Sequence, residues 1–200
     1  MRKQVAVALC SAVLCAAAFG FVTSSSLAIA KQKVAKRDRQ VHSTIKDLME
    51  SIIDPSADAL WGAVRTVVDT EGTHETFPRT EEEWIDVSRA AVRIVEGGNL
   101  LMLPGREAAP AGTKSEAPGV ELEPAQITAL MRKKRKSFDG FARALQGLGV
   151  EALRAAEAKN AVALMDIGAR MEDVCESCHQ AFWYPLEKHP STRNLKSTDK

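Results

Sequence analysis

Between Val41 and Tyr184 apolar residues recur at intervals of three and four, the spacing that lines side chains along one face of an α-helix. The first stretch runs from about Val41 to Asp69. Ile45, Met49, Ile52 and Ile53 begin its face, and Ala57, Leu60, Trp61, Val64 and Val68 continue it. Pro55 interrupts it, because proline lacks an N–H and clashes one turn back. Asp54 is read as an N-cap with Pro55 at the first helical position, giving a kink or short break. A second helix starts at Thr80, where Thr80 and Glu83 form a capping box. Its seam is Trp84, Val87, Ala91, Ile94, Gly98 and Leu101, with Gly98 placed for close helix approach. Leu103 to Glu123 is rich in Pro, Gly, Ala and Glu, has no period, and is expected to be a mobile crossover, a flexible linker over 104–123. A third helix begins near Pro124, with Ile127, Met131, Lys134, Phe138, Phe141, Leu145 and Leu148 on its seam. The fourth runs from about Glu151 to Tyr184 through Leu164, Ile167, Met171, Val174 and Cys178. Four such stripes predict an all-α four-helix bundle over 41–184, and the polar residues 185–200 read as a tail.

The front of the chain has a different character. Arg2 and Lys3 precede an apolar stretch from Val5 to Val22, and Ala28-Ile29-Ala30 is a small-x-small cleavage site before Lys31. That order reads as an export signal over 1–30, cleaved after Ala30, followed by an arm over 31–40. The alternative is an uncleaved anchor, since about eighteen apolar residues suffice to span a bilayer; a membrane enters only in that case. Cys10 and Cys15 each follow leucine, where a lipoprotein signal needs a small residue. Without Arg2 and Lys3 the 27 basic residues become 25, against 26 acidic ones. That balance argues against a nucleic-acid partner, which demands a basic excess.

Removing the signal also removes two of the four cysteines. The remaining pair stands in Cys175-Glu176-Ser177-Cys178-His179, the CxxCH pattern of covalent haem attachment. On a helix, positions i, i+3 and i+4 share a face, so two thiols would meet neighbouring vinyl groups while the imidazole reaches the iron. A thioredoxin-like redox pair needs a βαβ pattern, and only helical periodicity surrounds this one. A zinc site needs a further Cys or His pair at ligand spacing, whereas His42, His74 and His189 are scattered singly.

With CxxCH near the end of the last of four amphipathic helices, the chain resembles the class II cytochromes c, the family of cytochrome c′. The resemblance covers about Val41 to Tyr184 as an architecture, and the haem motif is its specific part. It implies one covalent haem c, thioether bonds to Cys175 and Cys178, and His179 as proximal iron ligand. It implies a periplasmic monohaem protein that passes single electrons between redox partner proteins and is not an enzyme. A homodimer is implied by resemblance alone. Where the family carries a basic residue soon after the ligand histidine, this chain has Gln180-Ala181-Phe182-Trp183-Tyr184-Pro185.

In that family the first helix supplies the residue facing the other side of the iron. Met49 shares a face with Ile45, Ile52 and Ile53, so it is the expected distal ligand, and a thioether raises the haem potential. Were Met49 only core filler, the iron would be five-coordinate and the chain a cytochrome c′-like protein binding NO or CO. Met102, Met131, Met165 and Met171 are read as core, and His42, seven residues before Met49, as a surface histidine. A peroxidase would need polar distal groups, and near Met49 stand Lys46, Asp47 and Glu50 but no histidine or arginine. Five consecutive cations, Arg132 to Lys136, circle a helix, so one faces inward. The seam phase selects Lys134, as a snorkelling side chain or a partner for a haem propionate. The others are read as a solvated helix face, the alternative being a docking patch for an acidic redox partner. Trp183, one turn beyond His179, is expected at the haem edge or closing the bundle end.

Overall fold

A computed structural model describes residues 40–185 of the chain. The expected export signal, nearly all of the arm and the tail beyond Pro185 lie outside the described residues. The described part is mostly helical with one small two-stranded sheet. No helix in it is long and apolar enough to cross a membrane.

The first helical run starts at Thr44, whose Oγ1 accepts from the Asp47 N–H while the Asp47 carboxylate accepts from the Thr44 N–H at 2.7 Å. It comprises α1 (Ile45–Leu48), a π-helical turn (Met49–Ile53) and α2 (Asp54–Ala63). Asp54 is itself helical and its N–H bonds to Met49 O, so it is not the expected N-cap. Proline removes the bond from residue 55 to residue 51 and its ring crowds that carbonyl. The helix accommodates Pro55 by widening for one turn, without a break.

This run ends at Val64, five residues before the expected Asp69. Arg65–Asp69 is strand β1 and Gly72–Thr76 strand β2, paired antiparallel with Val67 opposite His74. Thr66, Val67 and Val68 are β-branched and favour extended backbone. The Asp69 carboxylate accepts from the N–H groups of Glu71 and Gly72, and Gly72 takes φ +132°, so the turn has its own chemistry.

Helix α3 (Glu81–Leu101) has the capping box at Thr80 and Glu83, and buries Trp84, Val87, Ala91, Ile94, Gly98 and Leu101 as its spacing requires. It packs most extensively on α5 (Arg135–Glu157). The approach is close because both helices lack a side chain where they meet. A Cβ on Gly98 would stand 2.8 Å from Gln146 Cβ, and one on Gly149 would stand 2.9 Å from Ile94 Cγ2.

The segment between α3 and α4 (Pro124–Lys133), the expected mobile linker, lies across the helices as a strap and bonds to them. The N–H groups of Ile45 and Lys46 donate to the carbonyls of Glu107 and Ala108, both at 2.9 Å. The Ala108 N–H donates to Thr128 Oγ1, and the Leu122 N–H to the carbonyl of Trp183. Arg106 is buried and donates to Leu100 O at 2.9 Å, Ser43 O at 2.5 Å and Ser43 Oγ at 2.8 Å. Non-periodic sequence does not mean unpaired backbone: here caps and a buried guanidinium replace the regular ladder.

The last two expected helices divide differently. Lys134 has φ −107° and ψ 37°, which separates α4 from α5. Helix α5 then runs past the expected boundary at Leu148, because Ala152, Ala155 and Ala156 keep its face buried. The chain turns where Lys159 adopts φ 52° and Asn160 caps α6 (Ala161–Phe182) by accepting from the Ala163 N–H. Helix α6 lies against α5 and, less extensively, α2. Phe182 is fully buried, edge-on to Phe138 with centroids 5.4 Å apart.

Candidate functional site

The C-terminal half of α6 places Val174, Cys175, Cys178 and His179 along one wall of a cleft. Glu176 and Ser177, between them in sequence, face solvent. Met49, Ile53, Asp54, Ala57 and Trp61 form the facing wall, and Phe138, Phe141, Ala142 and Leu145 of α5 with Leu101 complete it. The cleft holds about 720 Å³ of non-atom space, open solvent included. A second, more polar hollow of about 1020 Å³, counted the same way, adjoins it, lined by Lys46 and Glu50 of the first helical run and by Lys114, Glu116 and Glu121 of the strap, among others. Met49, Asp54, His179 and Trp183 border both.

Three sequence elements set this geometry. The helical spacing of CxxCH turns both thiols and the imidazole the same way. The π turn starts at Met49 and carries Ile53, at its far end, to the same wall. The strap fixes Trp183, whose carbonyl accepts from Leu122 and whose N–H donates to the His179 carbonyl at 2.7 Å. The His179 ring therefore sits beside Trp183, centroids 5.9 Å apart, and beside Tyr184 at 6.2 Å. Tyr184 donates to Glu176 at 2.6 Å, closing the end of α6.

Cys175 and Cys178, the cysteines among the described residues, are free thiols. Burial, then the Asp54 and Glu172 carboxylates, pushes Cys175 up to about 11. Burial, then Cys175, pushes Cys178 up to about 12. A thiol of this kind is neutral at physiological pH and a poor nucleophile by itself. Asp54 has much of its surface open, but desolvation of its carboxyl against the cleft raises its pKa, opposed by His179. Lys46 is held well above its ordinary value by hydrogen bonds to Glu116 and Glu50, at 2.6 and 2.7 Å.

The structure thus brings Cys175, Cys178, His179, Met49 and Trp183 to one cleft. It does not bring Lys134 there. The helix break falls on Lys134 itself, which resets the phase and leaves the side chain exposed. Arg135 is the half-buried member of the run, paired with Asp139 at 2.8 Å and donating to Met102 O. Met165 is likewise exposed rather than core, whereas Met131 and Met171 are buried. His42 is exposed, bonded to Gln40, and lines neither cavity. Sequence reasoning missed Asp54 as a cleft residue and Trp61 as a brace, whose indole donates to Gly168 O at 3.0 Å. The signal for Trp61 was present: Gly168 lies one residue from the α6 seam, and a Cβ there would stand 3.0 Å from the Trp61 ring. Among the described residues no three His, Cys, Asp or Glu side chains gather into a site for a bare ion.

Compared with family models, with curated proteins and with solved structures, the chain matches none.

Proposed function

We propose that this chain is an exported, monohaem c-type cytochrome of class II type, a single-electron carrier rather than an enzyme. One observation carries the reading: both thiols and the imidazole of a CxxCH sequence line one apolar cleft whose facing wall holds Met49. In this reading the run α1 to α2, then α3, the run α4 to α5, and α6 are the four helices of a bundle.

The apolar walls from Phe138, Phe141 and Leu145 suit a macrocycle. The second cavity sets Lys46 and Lys114 against Glu50, Asp54, Glu116 and Glu121, and Lys46 is already bonded to two of them, so of its cations Lys114 is the one placed to meet a haem carboxylate. Cys175 and Cys178 would hold the group covalently, each S–H adding across a vinyl double bond. His179 would hold the iron from α6 and Met49 from the first helical run. When bound, the haem supplies an iron that alternates between ferric and ferrous states. The apolar walls exclude water and oppose added charge. Thr44, Glu107 and Ala108 pin the helix that carries Met49. Trp183, held by the strap, covers the His179 side. A bacterial periplasm follows from the export signal, because haem attachment is completed outside the cytoplasmic membrane.

The test is expression of the whole chain with a haem-attachment system, followed by denaturing electrophoresis and reduced spectra with and without carbon monoxide. Haem that stays with the denatured chain, and a spectrum unmoved by the gas, support a six-coordinate electron carrier. Haem retained with a rapid, complete spectral change transfers the reading to a five-coordinate gas binder. A chain that takes up no covalent haem overturns both.

A further inference from the structure

The hairpin β1–β2 stands apart from the rest of the fold. Every residue of both strands is exposed, Val68 at 75% and Val67 at 39%. A two-stranded hairpin with neither face covered is marginal in water, and a third strand or a packed face is what stabilises one. Natural sheet edges are blunted by proline, bulges or repelling charge. Strand β1, Arg65-Thr66-Val67-Val68-Asp69, has no proline and pairs with β2 in unbroken register.

Its charges are also self-complementary. The two-residue connection makes Asp69 and Gly72 the closing hydrogen-bonded pair, so Val67 and Arg65 also bond towards β2. The N–H and C=O groups of Thr66 and Val68 then point away from the hairpin. Laid antiparallel on a second β1 about a two-fold axis at Val67, Thr66 meets Val68 of the other copy, and each bonds the other. Val67 faces Val67, and Arg65 faces Asp69 twice, at closely spaced positions where opposite charges attract. Among the described residues Arg65 has no ion-pair partner, while Asp69 uses only Oδ1 within its own hairpin. Strand β2 has no such match: Glu75 would fall opposite Thr73, and His74 opposite His74.

We propose that β1 is a homodimerisation edge, and that two copies of this chain join through it into one four-stranded antiparallel sheet with two-fold symmetry. The contact is isologous, so it closes at two copies. No residue of β1 or β2 lines the cleft beside the CxxCH sequence.

Sedimentation velocity of the purified full chain over a concentration series tests this. The parent should pass from monomer to dimer as concentration rises. Val68→Pro removes an outward N–H without disturbing the bonds to β2, and Arg65→Glu places like charges opposite each other; both should stay monomeric where the parent is dimeric, while Arg65→Lys dimerises. Independently, Val67→Cys should form an intermolecular disulfide on mild oxidation, beyond the parent's background, because the facing Cα atoms would lie about 4.5 Å apart. Val68→Cys should not. A parent that stays monomeric at every concentration overturns the proposal. So does a dimer that survives Val68→Pro and Arg65→Glu, which would place the contact on the helices, and so does a Val67→Cys variant that fails to cross-link.

Discussion

The indole of Trp61 donates to the backbone carbonyl of Gly168 at 3.0 Å, joining α2 to α6 across 107 residues of chain. The two walls of the cleft are thereby held at a fixed spacing above the motif cysteines. Trp61→Phe keeps most of the apolar area and loses the bond, so stability should fall by about 1 kcal/mol. Gly168→Val should cost more, since even a Cβ would stand 3.0 Å from the Trp61 ring. Chemical denaturation of the two variants beside the parent reads both effects.

Met49 begins the π turn on the wall facing His179. Met49→Ala in the haem-loaded protein should open the iron to carbon monoxide and lower the reduction potential, because a thioether ligand favours the ferrous state. Spectral titration with the gas and a redox titration measure these. An unchanged potential would remove Met49 from the ligand set.

In the chain without haem, both motif thiols should resist alkylation at neutral pH and react readily only as the pH approaches their raised folded values. Their folded values, about 11 and 12, lie above the ordinary thiol value of 9.0. Burial therefore favours the neutral thiol, and its contribution to stability is complete below pH 9 and lost as pH rises through the folded values. Unfolding free energy of the haem-free chain should decline over that window, and Cys175→Ala with Cys178→Ala should flatten the decline. Thiol labelling by mass spectrometry against pH gives an independent measure.

Arg106→Leu should free the strap. The buried guanidinium donates to Leu100 O and Ser43 O; Leu100 O keeps the Leu103 N–H, so the loss leaves the half-buried Ser43 carbonyl without its partner. Such a group costs about 1–3 kcal/mol. Hydrogen exchange at Ile45, Lys46 and Ala108 should accelerate, because their N–H groups bond across the strap.

The long seams were legible because they record burial directly. Six seam residues of α3 are buried, and the Thr80–Glu83 cap is where the S/T-x-x-E pattern puts it. Met49 and the CxxCH residues meet at one cleft because each was assigned a helix face and the faces converge. The hairpin was hidden because Val64 and Val68 stand four apart and mimic a helical stripe, while the β-branched run and the Asp-x-x-Gly turn compete for the same residues. Lys134 was misplaced for a related reason: periodicity was carried through a residue where the helix breaks, and phase is lost at any break. Nor does periodicity reveal bonds that join backbone across 63 residues, as Arg106 does to Ser43, so the strap looked loose.

The π turn at Met49–Ile53 holds one residue more than an ordinary helical turn would there. A five-residue π turn closes about the same rotation as four residues of ordinary α-helix, so the extra residue is absorbed within the turn and Thr44, Ile45 and Leu48 keep their phase with α2. Were the same residues to relax to regular winding, everything before them would swing by roughly 100° and move about one step along the axis. The strap bonds to Ile45 and Lys46 would then no longer meet their acceptors. Pro55 makes that relaxation unfavourable, so a ring that cannot donate a hydrogen bond keeps the first helix in phase with the cleft.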